Sequence, residues 1–314
     1  MIVIRDPLRT HDLPKGGIVT VGNFDGVHLG HQKMLRDVAG RADALGVPSV
    51  VVTFDPHPLK VLRPEEAPRM IQTLRQREEA IEACGIGALL IVPFTRDFSL
   101  TPAETFVREL LLRRLGAREV HVGERFTFGH QKGGNLALLT RVGAEGGMAV
   151  VGISDVTDGE ARISSTRIRQ AIGAGDVALA ASLLGRPYAM DGFVAKGDRM
   201  GRKIGFPTIN LKPENELLPC DGVYLSTLYL PSFERTFGCV TNIGRRPTVY
   251  EDYATTVESY VLDFSSDVYG EKIRIAFLGR LRDEMVFPSM LELTSQIRKD
   301  VEATRLYFLR NPVP

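Results

Sequence analysis

Cysteine is scarce in this 314-residue chain: Cys84, Cys220 and Cys239 stand far apart, with no C-x-x-C pair. That excludes a disulfide framework and a cysteine-based zinc site, and leaves free thiols suited to a reducing compartment. Long apolar runs are missing too. No stretch reaches the roughly 18 apolar residues of a membrane-crossing helix, and "MIVIRDPLRTHDLPKGG" lacks the apolar centre of a signal peptide. A cytoplasmic protein without a membrane partner is expected. Nor is there an excess of one charge, since 39 Lys and Arg face 38 Asp and Glu. No net field draws a long polyanion, so nucleic acid is not expected as the main partner, whereas a local phosphate site stays open. Internal repeats and low-complexity tracts are absent.

What is present is the balance of a folded chain, 44% hydrophobic and 25% charged residues, long enough for two domains with separate cores. In the first half, "IVTVG", "PSVVVTF", "ALLIV", "REVHVG" and "MAVVGI" alternate with segments of helical period. Such alternation predicts parallel strands joined by crossover helices, a Rossmann-like α/β domain. One helix is expected from "TPAETF", with Thr101 as cap, Pro102 in the first turn, Glu104 closing a capping box, and Phe106, Val107, Leu110 and Leu111 buried. After "GAGDVALAASLLGRPY" the texture changes to "GVYLSTLYL", "RTFGCVTNIG", "TTVESYVLDF" and "EKIRIAFLG", antiparallel strands of a barrel or sandwich. A last helix, capped by Ser289 with Glu292 and carrying Met290, Leu293, Ile297 and Val301, is expected to close one side. The boundary is read near Arg186, giving domains 1–186 and 187–314.

The stretch "GNFDGVHLGHQ" follows the first parallel strand, where open α/β sheets bind ligands. Gly22, Gly26 and Gly30 let the backbone turn and approach a ligand, and a helix starting near His28 presents N–H groups to phosphate. A spacing of three sets His28 and His31 on one helix face, able to donate to a phosphoryl group gaining charge. Taken alone, the pair is as compatible with two satisfied surface histidines; a metal site is disfavoured because no Cys or matching His stands nearby. In "ISSTRIR", Ser164, Ser165 or Thr166 can cap a helix while Arg167 and Arg169 offer cationic forks, although taken alone the stretch reads better as a common helix start with two solvated arginines.

Together, "GNFDGVHLGH", "TFDPHP" at 53–58, "VGERFTFG" at 122–129 and "ISSTRIR" at 163–169 resemble, in order, the nucleotidyltransferase module of the bifunctional prokaryotic riboflavin kinase/FMN adenylyltransferase family. The resemblance implies that Gly22, Asn23, Phe24, Asp25 and Gly26, with Ser164, Ser165, Thr166, Arg167 and Arg169, bind ATP. It makes His28 and His31 catalytic, and sets Phe54, His57, Arg125, Phe126 and Phe128 near the flavin. Arg125 departs from the family pattern, which has an acidic or amide residue there, and Lys132 stands where arginine is more common.

In the second half, "GFVAKGDRMGRKIGFPTINL" places Gly192, Gly197, Gly201 and Gly205 among Lys196, Arg199, Arg202 and Lys203. A loop of this kind can fold amides and cations around a nucleotide, or be no more than a flexible β-connection. "FPTIN" resembles the Pro-Thr-Ala-Asn signature of the riboflavin kinase module, with Ile209 in the alanine position. The family would hold the magnesium of Mg-ATP with the Thr208 hydroxyl and the Asn210 amide oxygen, two hard donors that strand alternation points the same way. Gly197 and Lys203 would join them in ATP binding. Glu258 in "TTVESYVLDF" reads by charge alone as a solvated outer-face residue, and by the match to "VExxxLDF" as the kinase base. Tyr260 replaces the more usual histidine beside it. "PCDGVY", "NIGRRPT", "DVYG" and "FLGRLRDEMVF" complete the match, with Arg282 as a phosphate or flavin contact and Val286 in place of a common lysine.

The expected activity is therefore ATP-dependent phosphorylation of riboflavin to FMN in the second domain, then adenylylation of FMN to FAD and pyrophosphate in the first, with Mg²⁺ accompanying ATP. Two alternatives remain at this level: a protein in which only the kinase is live, the first domain being impaired through Arg125, or a non-catalytic flavin or nucleotide sensor. Oligomeric state is left open.

Overall fold

Short runs of β-branched and aliphatic residues build the first unit, and the alternation of their side chains decides its layers. The computed structural model describes residues 1–159, 161–197, 200–246 and 254–313. Strands β1 (Ile2–Arg5), β2 (Ile18–Val21), β3 (Ser49–Asp55), β4 (Ala88–Pro93), β5 (Glu119–Gly123) and β6 (Ala149–Ile153) form a six-stranded sheet in the order β1-β4-β3-β2-β5-β6. Every pairing in it is parallel. Val19, Val21, Val50, Val52, Leu90 and Val92 enter one apolar core, while Ile18, Val51, Leu89 and Ile91 of the same strands enter a second. Both faces are thus covered, as a parallel sheet requires. The covering elements are helices α1 (Leu29–Leu45), α2 (Pro58–Leu62), α3 (Leu74–Glu82), α4 (Arg96–Ser99), α5 (Ala103–Phe106) and α6 (Leu136–Glu145).

Chain order reverses at β2: β3 and β4 lie to one side of it and β5 and β6 to the other. The crevice beyond the carboxyl ends of β2 and β5 is consequently the topological switch point, the usual ligand site of such sheets. The "GNFDGVHLGH" loop follows β2, "TFDPHP" runs from the end of β3, and "VGERFTFG" leaves β5.

The helix expected at Thr101 is built differently. α5 begins at Ala103 behind Pro102, without a side-chain cap. The Thr101 carbonyl accepts the His130 N–H at 2.9 Å, and Glu104 pairs with Arg108 at 2.7 Å instead of closing a box. The chain continues from α5 as a wider π-helix over Val107–Arg114. Phe106, Val107, Leu110 and Leu111 are buried there as the apolar spacing predicts.

The second unit is a closed antiparallel barrel. Strands β7 (Tyr188–Ala195), β8 (Thr208–Pro213), β9 (Gly222–Leu230), β10 (Arg235–Arg246), β11 (Ala254–Val261) and β12 (Lys272–Arg282) close in the order β10-β11-β8-β7-β12-β9. Helices α7 (Ser165–Gly173), α8 (Val177–Leu184), α9 (Met200–Lys203) and α10 (Met290–Arg310) accompany it. A ladder of buried hydroxyls crosses three strands: Ser226 Oγ meets Thr241 Oγ1 at 2.6 Å, and Thr241 Oγ1 meets Ser259 Oγ at 2.7 Å. The Cys239 thiol stands 3.1 Å from Ser226 Oγ, and burial pushes it up to about 11. α10 starts as expected, with the Glu292 N–H donating to Ser289 Oγ. Val301, Ile297 and Phe308 of α10 pack with Val223, Val240 and Leu262 of the barrel.

The compact units are Met1–Arg69 with Leu74–Ser164, and Met70–Thr73 with Ser165–Pro314. The division precedes Arg186 because α7 packs on α8, and α8 on β7 and β12. Asn215 ties the short segment to the second unit, donating to the Ile71 carbonyl at 3.3 Å and accepting the Asp191 N–H at 2.9 Å.

Candidate active sites

In the first unit, β2 delivers the chain into a loop that turns back under itself. Gly26 has φ +85°, and Phe24 and Val27 have φ +49° and +39°. A β-branched residue with positive φ is strained, and this one is held by its surroundings. Val27 is fully buried, and its carbonyl accepts the Gln32 side-chain N–H at 2.9 Å. Phe24 and Asp25 are buried as well.

His28 caps α1 from its own side chain, Nδ1 accepting the His31 N–H at 3.3 Å. Neutral His28 accordingly carries its proton on Nε2. The two imidazoles stack at 3.7 Å, and Phe24 meets the His31 ring edge-on at 5.2 Å. Burial first, and His28 second, hold His31 well below the usual histidine pKa. His31 Nδ1 is buried without a hydrogen-bond partner. The arrangement is a stacked imidazole pair at a helix start, suited to donating to a phosphoryl oxygen.

His57 caps α2, its Nδ1 accepting the Leu59 N–H at 3.2 Å. Its Nε2 lies 3.2 Å from the amide nitrogen of Asn23, the tautomer deciding which of the two donates. The two loops meet at this contact. Beyond it runs a chain of aromatic rings: Phe54 with Phe94 at 5.9 Å, Phe94 with Phe98 at 5.7 Å, Phe98 with Phe106 at 6.4 Å, Phe106 with Phe128 at 5.7 Å. Phe126 stacks on Phe128 at 5.2 Å. Phe54, Phe94 and Phe98 are only half-buried, offering a flat apolar ligand a ready aromatic wall. Phe94 and Phe98 escaped the sequence reading because they lie on a separate loop and on α4. Arg125 is 78% exposed and reaches Asp155 at 3.3 Å.

The "ISSTRIR" stretch straddles the division between the units: Ser164 ends the first, and Ser165, Thr166, Arg167 and Arg169 open the second on α7. Arg167 and Arg169 flank the buried Ile168 and are themselves half-buried.

In the barrel, strand register assembles the second site. Asn210 of β8 lies opposite Glu258 of β11, and Glu258 opposite Asn242 of β10. Asn242 lies opposite Val223 of β9, and Val223 opposite Arg282 of β12. Residues directly opposite across a sheet share a face, so Asn210, Glu258, Asn242 and Arg282 form one transverse row. Thr208 shares that face two residues before Asn210, opposite Tyr260. The other face carries the buried Ser259, Leu211 and Val257. Glu258 and its two amide neighbours are half-buried.

Gly197 is required here, since a Cβ would fall onto the Asn210 amide; at Gly201 it would strike the Phe206 carbonyl. Lys203 is exposed on α9. Arg199, Pro247 and Thr248, named in the sequence motifs, lie outside the described residues. Arg282 is committed within the protein: Nη2 and Nε donate to Asp300 at 2.8 and 3.0 Å, and Nη1 to the Asp283 carbonyl at 2.9 Å. Asn242 was overlooked in the sequence, although it heads the quoted "NIGRRPT".

Among the described residues, no helix is long and apolar enough to cross a membrane, and no group of three His, Cys, Asp or Glu could hold a metal.

Residues 10–167 match the family model described as FAD synthetase, and residues 184–308 the one described as riboflavin kinase. A bifunctional riboflavin kinase/FMN adenylyltransferase of Haemophilus influenzae is 35% identical over 308 residues, 98% of this chain and 99% of its own. The protein of that name from Escherichia coli K12 is 36% identical over 94% of this chain and 93% of its own. That from Pseudomonas fluorescens is 37% identical over 93% of each. A crystal structure from Streptococcus pneumoniae described as a macrolide-efflux protein superposes with TM-score 0.89 and 31% identity, covering 97% of this chain and 99% of that one. Efflux is a description of that protein; what the two chains have in common is fold and sequence.

Proposed function

Since the chain belongs to the bifunctional riboflavin kinase/FMN adenylyltransferase family, and so makes FMN from riboflavin and FAD from FMN, we propose which residues run each step. Residues 187–314 phosphorylate riboflavin around Glu258, and residues 1–186 adenylylate FMN around His28 and His31. What supports this division is that the two candidate catalytic groups lie in different units: two stacked imidazoles at the start of α1, and one transverse row on the barrel.

In the kinase step, the terminal ribityl hydroxyl attacks the γ-phosphorus in line as the bond to ADP breaks. Glu258 takes the hydroxyl proton and orients the attacking oxygen. Thr208 and Asn210 suit Mg²⁺: two hard oxygen donors on one face leave the remaining positions to water and phosphate oxygens, as magnesium prefers. When bound, the ion offsets charge on the phosphates. Gly197, whose missing side chain lets the backbone lie against Asn210, and Lys203 complete the nucleotide's surroundings. Arg282 acts through Asp300 rather than by touching phosphate.

In the second step an FMN phosphate oxygen attacks the α-phosphorus of ATP, and pyrophosphate leaves. The nucleophile is already ionised, so no strong base is needed. His28 and His31 donate to the phosphoryl oxygens as charge builds there. Gly22, Asn23, Phe24, Asp25 and Gly26 shape the nucleotide loop. Phe54, His57, Phe126 and Phe128 flank the flavin, with Arg125 at the rim. Ser164, Ser165, Thr166, Arg167 and Arg169 are assigned to ATP on their motif match alone. The work is assigned to the cytoplasm, in keeping with three unpaired cysteines.

The test is a time course with riboflavin and Mg-ATP, separating the flavins by chromatography in wild type, His28→Ala and Glu258→Gln. FMN accumulating in the first variant and riboflavin persisting in the second supports the division. Equal loss of both steps in a folded variant overturns it.

A further inference from the structure

Arg77 is an arginine where a sequence reader expects solvent and the structure provides none. It lies on α3 in "LRQREEAIE", among charged residues, yet is 3% exposed. Nη1 donates to the Asn23 carbonyl at 3.0 Å and Nη2 to the Phe54 carbonyl at 3.3 Å. Nη2 stands 3.7 Å from Asp55 Oδ1, on a side chain 49% exposed. Nε is buried with no hydrogen-bond partner. Burial lowers the pKa of the guanidinium, and Asp55, Asp25 and Glu78 only partly restore it.

A buried guanidinium is expensive, and an apolar side chain of similar length fills such a space at lower cost. The gain must lie in what the charge holds. The two carbonyls belong to different loops: Asn23 to the nucleotide loop after β2, Phe54 to the end of β3 that leads to His57. The planar fork fixes the separation of the two carbonyls, which a single ammonium cannot do. Two further contacts bind the same loops, Thr53 Oγ1 to the Asn23 carbonyl at 3.3 Å and the Asn23 amide to His57 at 3.2 Å. Arg77 thus stands beneath the junction of the loop assigned to ATP and the loop assigned to flavin.

We propose that Arg77 is a positioning residue for adenylyl transfer, setting the register between the nucleotide loop and the flavin loop without touching either substrate. The proposal rests on the assignment of adenylylation to the first unit. It predicts loss in kcat more than in KM, because misplacement by about 1 Å of two bound reactants costs roughly 10²-fold in rate.

The experiment compares Arg77→Met and Arg77→Lys in the full chain, measuring FAD formation from supplied FMN and riboflavin phosphorylation in the same preparation. Expected are a fall in adenylylation kcat of about 10²-fold for Met and about tenfold for Lys, with KM for ATP and FMN changed less than kcat. Kinase turnover stays at the wild-type level. Thermal midpoints and the stoichiometry of nucleotide binding report the folded fraction. Should Met leave the first unit unfolded, the kcat of the Lys variant, which keeps the charge, decides. Wild-type kcat in a folded Lys variant, or a loss that only tracks the unfolded fraction, overturns the proposal. His28→Ala is run alongside. If that variant keeps full FAD formation, the site assignment has failed; if it loses FAD formation while both Arg77 variants keep theirs, the role of Arg77 alone has failed.

Discussion

The imidazole of His31 lies flat against that of His28, ring centroids 3.7 Å apart and planes 16° from parallel. Burial and its neighbour hold His31 well below the ordinary histidine pKa of 6.5. On acidification below about pH 6.5 the unfolded chain takes up a proton that folded His31 refuses, so stability falls as pH falls, until the folded pKa is reached. Thermal midpoints of the first unit are expected to drop between about pH 7 and pH 5. His31→Gln should flatten that slope by at most about 1.4 kcal/mol per pH unit. A slope untouched by the substitution would show that other groups set it.

The two activities are expected to separate by mutation. His28→Ala removes one proposed donor to the developing phosphoryl charge and should lower FAD formation by about 10²-fold or more. Glu258→Gln removes the proposed general base and should lower riboflavin phosphorylation by about 10²- to 10⁴-fold. Each variant keeps the activity of the other unit, measured with FMN or riboflavin supplied separately.

At Gly197 the backbone itself is pressed against the Asn210 amide. Gly197→Ala should push Asn210 out of line and weaken nucleotide use in the kinase step, seen as a higher KM for Mg-ATP with adenylylation intact. An unchanged KM would mean that the amide has room to move.

Arg282 and Asp300 form a pair whose side chains are 18% and 8% exposed. Arg282→Ala leaves a buried carboxylate with Gln296 as a remaining donor, at 2.9 Å, and is expected to cost about 3–5 kcal/mol of barrel stability. Denaturant unfolding measures it. A stable variant with a raised KM for riboflavin or ATP would instead restore the direct ligand role that the sequence suggests.

Arg125 tests the remaining departure from the family pattern. Being largely exposed beside Asp155, it should contribute little to stability, within about 0.5 kcal/mol on replacement. Arg125→Asn is expected to change the KM for FMN while leaving the unfolding midpoint and kinase turnover as they were.

The sequence yielded those parts of the molecule whose signal is local. Five parallel strands were legible from their apolar runs, and α10 from its capping residues. β1 was not, since Ile2 and Val3 lie exposed on an edge strand with only one neighbour. Thr101 looked like a cap, but tertiary structure took its carbonyl for His130 and left Pro102 to start α5. The transverse row of Asn210, Glu258, Asn242 and Arg282 draws on four strands, and nothing along the chain announces which residues face one another until the barrel closes. Arg77 gave no signal for the opposite reason: its neighbours along α3 are mostly charged or polar, and nothing among them marks it as buried.

The hydroxyl ladder of the barrel has a consequence for how its motions can be observed. Cys239 sits within it, fully buried and with its thiol pushed up to about 11. It is protonated at neutral pH and shut away from reagents, so a thiol-modifying probe can reach it only when β9 and β10 part. Cys220, half-buried and two residues before β9, offers a faster-labelling contrast in the same unit. The delay between the two is a clock for how often the barrel comes open, read without adding any label site to the chain.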